Sequence, residues 1–298
     1  RTAVRPEGKD YQMEKPRPNI SSLPYGPHLR NDLDFWQTKA KLPAPLLVWI
    51  HGGGFTQNDK SKVPAELLCG ALDAGINVAS INYRLSQQAP YPAPFEDAAR
   101  AIQYLRFRAE AWGIDPERIA SSGGSAGAGI SLWIGFRPDM ADASSSDPIA
   151  RQSTRLSCIA CISAQSSYDP NFIRSIIGGP AWKTDALQLL FRAQPEEYDR
   201  ADLKAKFADA SAINHVTADA PPVFLFYNQP NDPPTGELTA GHGIHHPHFG
   251  ELLKEKLDAV GVECVLRCRE DYEDFPEEFW KPFCRDVLEF VKEKLGVG

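Results

Sequence analysis

The chain has 298 residues, a net charge of -7 and a pI near 5.6. Its apolar share of 42% and charged share of 24% belong to a globular protein large enough for one substantial core. The acidic balance argues against nucleic acid as the main partner, and no apolar run approaches the roughly 18 residues that cross a bilayer. The first residue is Arg1, not Met, which is compatible with an exported or periplasmic product whose leader has been removed.

Residues 1–42 are polar and proline-rich without a clear period, and are read as an irregular arm with one early strand near Leu33 to Trp36. From Pro45 onward, strand-like and helical segments alternate. An apolar run over 45–50 leads to a helix near Pro64 to Ala74, then a second strand over 76–84. Ala98, Ile102, Leu105, Ala109 and Trp112 share one face of a 3.6-residue period and predict a helix. A strand over 118–123 follows, then a helical run over 128–136, then a strand over 156–164. Residues 168–212 interrupt the alternation and read as a small cap-like insertion, with Tyr168, Phe172 and Trp182 as candidate pocket walls. Strands over 221–228 and 262–268 flank a helix carrying Phe249, Leu253, Leu257 and Val260, and a helix from about Glu277 to Leu295 closes the chain. Strands alternating with helices predict βαβ units: an α/β fold in a single domain over 1–298, with a mainly parallel central sheet flanked by helices.

Six cysteines occur, two of them as Cys158-x-x-Cys161. That pair sits within an apolar strand, and Cys264 and Cys268 within another. Redox and metal motifs favour helix starts and loop knuckles, so buried free thiols are expected.

Gly123-Gly124-Ser125-Ala126-Gly127 lies between a strand and a helical run. A G-x-S-x-G pentapeptide in that context marks a sharp turn that lifts the serine hydroxyl above the sheet, next to the amides of a helix N-terminus. His51-Gly52-Gly53-Gly54-Phe55 follows directly on the strand over 45–50. Its glycines allow close backbone approach to a substrate, with amides free to hold a tetrahedral oxyanion.

These two motifs, together with Asn82-Tyr83-Arg84-Leu85-Ser86 and the stretch from Pro92 to Gly127, resemble the bacterial hormone-sensitive-lipase-like esterases and the related feruloyl and acetyl-xylan esterase-like group. The likeness is strong over 44–130 and weaker over 210–268. It implies an α/β-hydrolase fold and a carboxylesterase working without a cofactor on small-molecule esters, of short-chain or plant-polymer type. It assigns Ser125 as nucleophile and Gly53, Gly54 and Ala126 as oxyanion donors. His51 would orient the glycine loop. Gly124 stands where members often carry Asp.

The chain departs from that pattern after the last strand. Residues 269–275, where the family places its histidine, contain none, and no histidine follows His248. Instead His242, His245, His246 and His248 cluster on the loop after the strand over 221–228. A triad is defined by geometry and role, not chain order. The expectation is therefore an exchanged arrangement: Ser125 with His246 as base, His245 as its alternative, and Asp271 from the acidic cluster over 270–274 as acid. Asp232, in an Asn-Asp-Pro setting, is the more familiar alternative acid. Metal chelation by the four histidines, and a catalytically silent ligand-binding protein of the same fold, are the rival readings. A peptidase on this fold is a third.

Overall fold

A computed structural model describes residues 13–234, 237–272 and 280–298. Its eight strands are β1 (Ile20–Pro24), β2 (Asp32–Trp36), β3 (Ala44–Ile50), β4 (Asn77–Ile81), β5 (Ile114–Gly124), β6 (Cys158–Ile162), β7 (Val223–Tyr227) and β8 (Cys264–Cys268). They form one sheet in the order β1-β2-β4-β3-β5-β6-β7-β8. β1 pairs antiparallel with β2 and β2 with β4; every other pairing is parallel. The strand expected near Leu33 to Trp36 is β2; the correction is that the described part of the arm contributes a second strand, β1, and that the two join the sheet edge antiparallel rather than wrapping the surface irregularly.

The described helices are α1 (Ala65–Asp73), α2 (Ala93–Phe107), α3 (Ala109–Trp112), α4 (Ala126–Phe136), α5 (Pro170–Ile176), α6 (Asp185–Phe191), α7 (Ala201–Ala210), α8 (Ala240–Ile244), α9 (His248–Ala259) and α10 (Trp280–Leu295). The expected helix over 98–112 breaks in two at Arg108, whose backbone amide bonds the Tyr104 and Arg106 carbonyls.

Strands β3, β4, β6 and β7 are buried at every residue, because helices cover both faces of the sheet. Alternate side chains sort to opposite layers. Leu46, Val48, Ile50, Ile119, Ile159 and Leu225 pack with residues of α2 and α4. Leu47, Trp49, Ala120, Ala160, Phe224 and Phe226 pack with residues of α1 and α10. Each such fully buried large side chain contributes about 1.5–3 kcal/mol. The thiols of all six cysteines are unpaired; four are buried, while Cys69 and Cys268 are partly exposed. Burial raises the Cys158 thiol to about 12, so it is inert as a nucleophile at neutral pH.

The order of strand addition reverses about β3: the sheet grows one way through β4 and the other through β5. An open α/β sheet leaves a crevice at the C-terminal ends of the strands flanking such a point. Here those ends carry His51-Gly52-Gly53-Gly54 and Gly124-Ser125.

Candidate active site

Ser125 stands between β5 and α4 with φ 50° and ψ -116°, a conformation L-residues avoid. Its amide is held by the Ile162 carbonyl at 2.9 Å. The turn needs flanking glycines for steric reasons. A Cβ on Gly123 would lie 2.7 Å from the Ile50 carbonyl oxygen, and one on Gly127 would fall on that same oxygen and 2.6 Å from the oxygen of His51. β3 and the start of α4 therefore pack backbone to backbone, which brings the glycine loop alongside the serine.

In that loop Gly53 and Gly54 have φ of 103° and 59°, which glycine adopts at little cost. Among the described residues, the amides of Gly53, Gly54 and Ala126 have no protein acceptor. These are the three expected oxyanion donors, and all line one cavity with Ser125.

His51 is fully buried and stacks on Tyr83 with ring centroids 4.3 Å apart. Arg30 donates to its Nε2 at 3.2 Å, so its Nδ1 carries the proton and donates to the Gly52 carbonyl at 2.8 Å. Burial lowers the His51 pKa to about 4. The histidine is thus a neutral brace for the glycine loop. Arg30 also reaches the carbonyls of Tyr83 and Asn58, at 2.8 and 3.0 Å. Sequence reasoning missed this arginine, since it lies in the arm and carries no motif.

The histidine within reach of the serine is His245. Its Nε2 lies 2.8 Å from Ser125 Oγ. Its Nδ1 lies 2.8 Å from the Gly241 carbonyl oxygen, a pure acceptor, so Nδ1 is protonated and Nε2 is free to accept the serine proton. Burial lowers its pKa below 6.5, only partly offset by the Gly241 bond, so the ring is neutral at neutral pH.

His246, the preferred base of the sequence reading, is displaced from that role. It points the other way, as neighbours at the end of a one-turn helix must. Its Nδ1 accepts from the His248 amide at 3.0 Å, and its Nε2 donates to the Asp232 carbonyl at 2.7 Å. His242 stacks on it at 5.6 Å and donates to the Pro230 carbonyl at 3.0 Å. His248 Nδ1 lies 2.8 Å from Glu251, which also accepts from Asn231. Three of the four histidines thus tie the loop 228–251 to itself. Among the described residues no group of three or more His, Cys, Asp or Glu is arranged to hold a metal ion.

Neither expected acid reaches His245. The chain leaves β8 in a tight turn, Arg269–Asp271, that folds the Asp271 carboxylate back onto the Cys268 amide at 2.8 Å. It lines a different groove, with Arg267, Arg285 and Asp286. Asp232 enters only through its carbonyl; its carboxylate makes no hydrogen bond or ion pair among the described residues. Glu270 accepts from the Asn231 amide, and the other members of the acidic cluster, Glu273 and Asp274, lie outside the described residues.

Two cavities meet at Ser125 and His245. One, of about 380 Å³, is lined by Gly53, Gly54 and Ala126 and walled by Phe55, Tyr168 and Ile244, with Thr184, Ala186 and Leu187 from the 168–212 segment. Tyr168 is the one of the three candidate aromatics found there. Trp182 instead packs edge-on against Tyr198 and under Arg174. Phe172 lines neither cavity. The other cavity, of about 530 Å³, runs toward α1 and is lined by Trp49, Asn58, Val63, Ser163, Asn228 and Trp280, among others. Gln165, also missed by the sequence reading, donates to the carbonyls of Ser163 and Ile244 at 2.9 and 2.7 Å and so fastens the histidine loop to the end of β6.

A serine in a strained strand-to-helix turn, beside a glycine loop at the switch point of a mainly parallel sheet, defines an α/β-hydrolase-fold protein. The chain belongs to the BD-FAE family, whose profile matches residues 33–233. It is 30% identical over 214 residues to the esterase LipQ of Mycobacterium tuberculosis, an alignment spanning 70% of this chain and 48% of that protein. The chain thus spans about half the length of that relative. It is 25% identical over 273 residues to a versiconal hemiacetal acetate esterase of Dothistroma septosporum, covering 86% and 73% of the two chains. An acetyl ester-xyloside bifunctional hydrolase from Caldicellulosiruptor lactoaceticus shares the fold, with a TM-score of 0.69 over 89% of this chain and 88% of that one at 22% identity.

Proposed function

We propose that the protein is a serine carboxylic-ester hydrolase in which Ser125 is the nucleophile and His245 the general base. The observation that carries this reading is the 2.8 Å contact between Ser125 Oγ and the unprotonated Nε2 of a neutral His245 whose proton sits on Nδ1. In the forward step His245 takes the Ser125 proton as Oγ adds to the ester carbonyl, and the oxyanion is held by the amides of Gly53, Gly54 and Ala126. The imidazolium then gives its proton to the departing alkoxide, leaving an acyl-enzyme. Water, deprotonated by the same imidazole, adds to the acyl carbon; Oγ leaves and regains its proton from His245.

The acyl part stays on the enzyme through both steps, whereas the alcohol departs after the first. The cavity of about 380 Å³, walled by the 168–212 segment, suits a short retained acyl group such as acetyl. The larger cavity, with Trp49 and Trp280 beside Asn58 and Asn228, suits an alcohol of aromatic or sugar size. Short-chain and plant-polymer-type esters both satisfy this division. A silent binding protein has no need of a strained serine in contact with a base.

The test is turnover of p-nitrophenyl acetate together with fluorophosphonate labelling. Ser125→Ala abolishes both, and His245→Ala lowers turnover by at least about 10³-fold. His246→Ala keeps labelling at Ser125 and loses less than tenfold in kcat/KM, although its Tm falls. A wild type that neither labels nor turns over esters of several acyl lengths overturns the reading.

A further inference from the structure

Resting on the assignment of Ser125 and His245, we propose that the group orienting the catalytic histidine is the main-chain carbonyl of Gly241, and that no carboxylate among the described residues completes the site. Three observations lead there.

The first is geometric. The Gly241 oxygen is the hydrogen-bond partner of His245 Nδ1, at 2.8 Å. The second concerns why that oxygen is free. In a continuing α-helix it would accept from the amide of residue 245. Here α8 is one turn long, capped by Thr239, and its end tightens: the His245 amide bonds the His242 and Gly243 carbonyls instead. Gly241 is left as one of the carbonyls a helix C-terminus cannot satisfy from its own backbone, and the imidazole takes the place of the missing amide. The third is chemical. The described carboxylates on the loops after β7 and β8 are engaged elsewhere or turned to solvent, and Glu66 sits on the α1 side of the larger cavity. Asp271 caps Cys268, Glu270 holds Asn231, Glu251 is shared by His248 and Asn231, and Asp232 is exposed.

The carbonyl does most of what a carboxylate does. It fixes the tautomer, so that Nε2 and not Nδ1 faces the serine, and it holds the ring plane. It lies at a helix C-terminus, where the peptide dipoles place partial negative charge that favours the imidazolium formed on proton transfer. It lacks a full charge, so the imidazolium gains less from it. The proton traffic is closed without an acid: Oγ–H to Nε2, then Nε2–H to the leaving oxygen, with Nδ1–H donating to Gly241 throughout.

The mechanism predicts that carboxylate substitutions spare the chemistry. In Asp232→Asn, Glu251→Gln, Glu270→Gln, Asp271→Asn, Glu273→Gln and Asp274→Asn, single-turnover acylation by p-nitrophenyl acetate stays within about tenfold of wild type, whereas loss of a true triad carboxylate costs about 10⁴-fold. The limb of kcat/KM against pH lies below 6.5, because burial disfavours the imidazolium and no anion among the described residues holds the proton on His245. The direct test changes only the acceptor. His242→Phe is compared with the same position carrying the α-hydroxy acid analogue of phenylalanine, which converts the Gly241 amide carbonyl to a weaker ester carbonyl. The expected result is a fall of several-fold in kcat/KM and an acidic limb moved to still lower pH. Thr239→Val, which removes the acceptor of the amide lost with the ester, measures the effect of the lost cap alone, and the ester's fall in kcat/KM and shift of the limb exceed it. Any single carboxylate variant that folds, as judged by circular dichroism, yet loses 10²-fold or more and shifts the limb overturns the proposal, as does an ester variant indistinguishable from its amide control. Failure of His245→Ala to lose activity would instead overturn the underlying assignment, so the two failures are separable.

Discussion

Gly127→Ala sets two opposed effects against each other. Gly127 lies in the first turn of α4, where alanine is the better helix former by about 1 kcal/mol. Its new methyl, however, would meet three backbone atoms: the oxygen and carbon of Ile50 and the oxygen of His51. Backbone in the middle of a sheet cannot swing aside as a side chain does, so α4 has to move instead. Overpacking of this kind costs about 1–3 kcal/mol; overlap with main-chain atoms that cannot yield puts it at the upper end, so after the propensity gain the net loss is about 2 kcal/mol. The displacement also carries the Ala126 amide away from the oxyanion position, and losing one such donor costs about 10²–10³ in kcat. The expected outcome is a Tm lower by roughly 3 °C or more and a kcat at least 10²-fold below wild type with KM little changed. Thermal unfolding followed by circular dichroism and p-nitrophenyl acetate kinetics measure both. A variant of equal or higher Tm and full kcat refutes the steric argument; a destabilised variant with full kcat refutes the link from helix position to oxyanion hole.

Arg30→Gln removes donors to His51, Tyr83 and Asn58 at once, loosening the glycine loop; kcat for p-nitrophenyl acetate falls by up to about 10²-fold while stopped-flow substrate binding is little affected. Acid stability is set partly by His51. It takes up a proton near 6.5 in the unfolded chain but only at about 4 when folded, so its contribution is present above 6.5 and is lost as pH falls toward 4, about 3 kcal/mol in all. Urea unfolding between pH 7 and 4.5 has a shallower pH slope in His51→Gln than in wild type; equal slopes reject the assignment. Ala186→Phe fills the smaller cavity beside Gly54, so the ratio of hexanoate to acetate turnover falls at least tenfold. A ratio that does not change places the acyl chain in the other cavity.

Much of this protein is determined locally and was legible along the chain. Continuous apolar runs mark strands covered on both faces, and a 3.6-residue period marks the helices between them. Gly123-Gly124-Ser125-Ala126-Gly127 and His51-Gly52-Gly53-Gly54 identify themselves because each solves a steric problem within a few consecutive residues: a turn too sharp for side chains, or amides that must lie bare. The absence of histidine after β8 was equally plain, as was the transfer of histidines to the loop after β7. Which of them meets the serine was not. His245 and His246 are adjacent and chemically identical, and the choice turns on a single helical turn of about 100° per residue, fixed by Thr239 at one end, by Gln165 holding Ile244, and by the close packing of Gly243 on Ala181. The acid is no more legible, for the same reason. A carboxylate just past a strand end looks available in one dimension, but the turn at Arg269–Asp271 folds it back onto its own strand. Contacts between residues close in sequence are set by local sterics, whereas those spanning 120 residues, as between Ser125 and His245, depend on the angles at which packed elements leave the sheet.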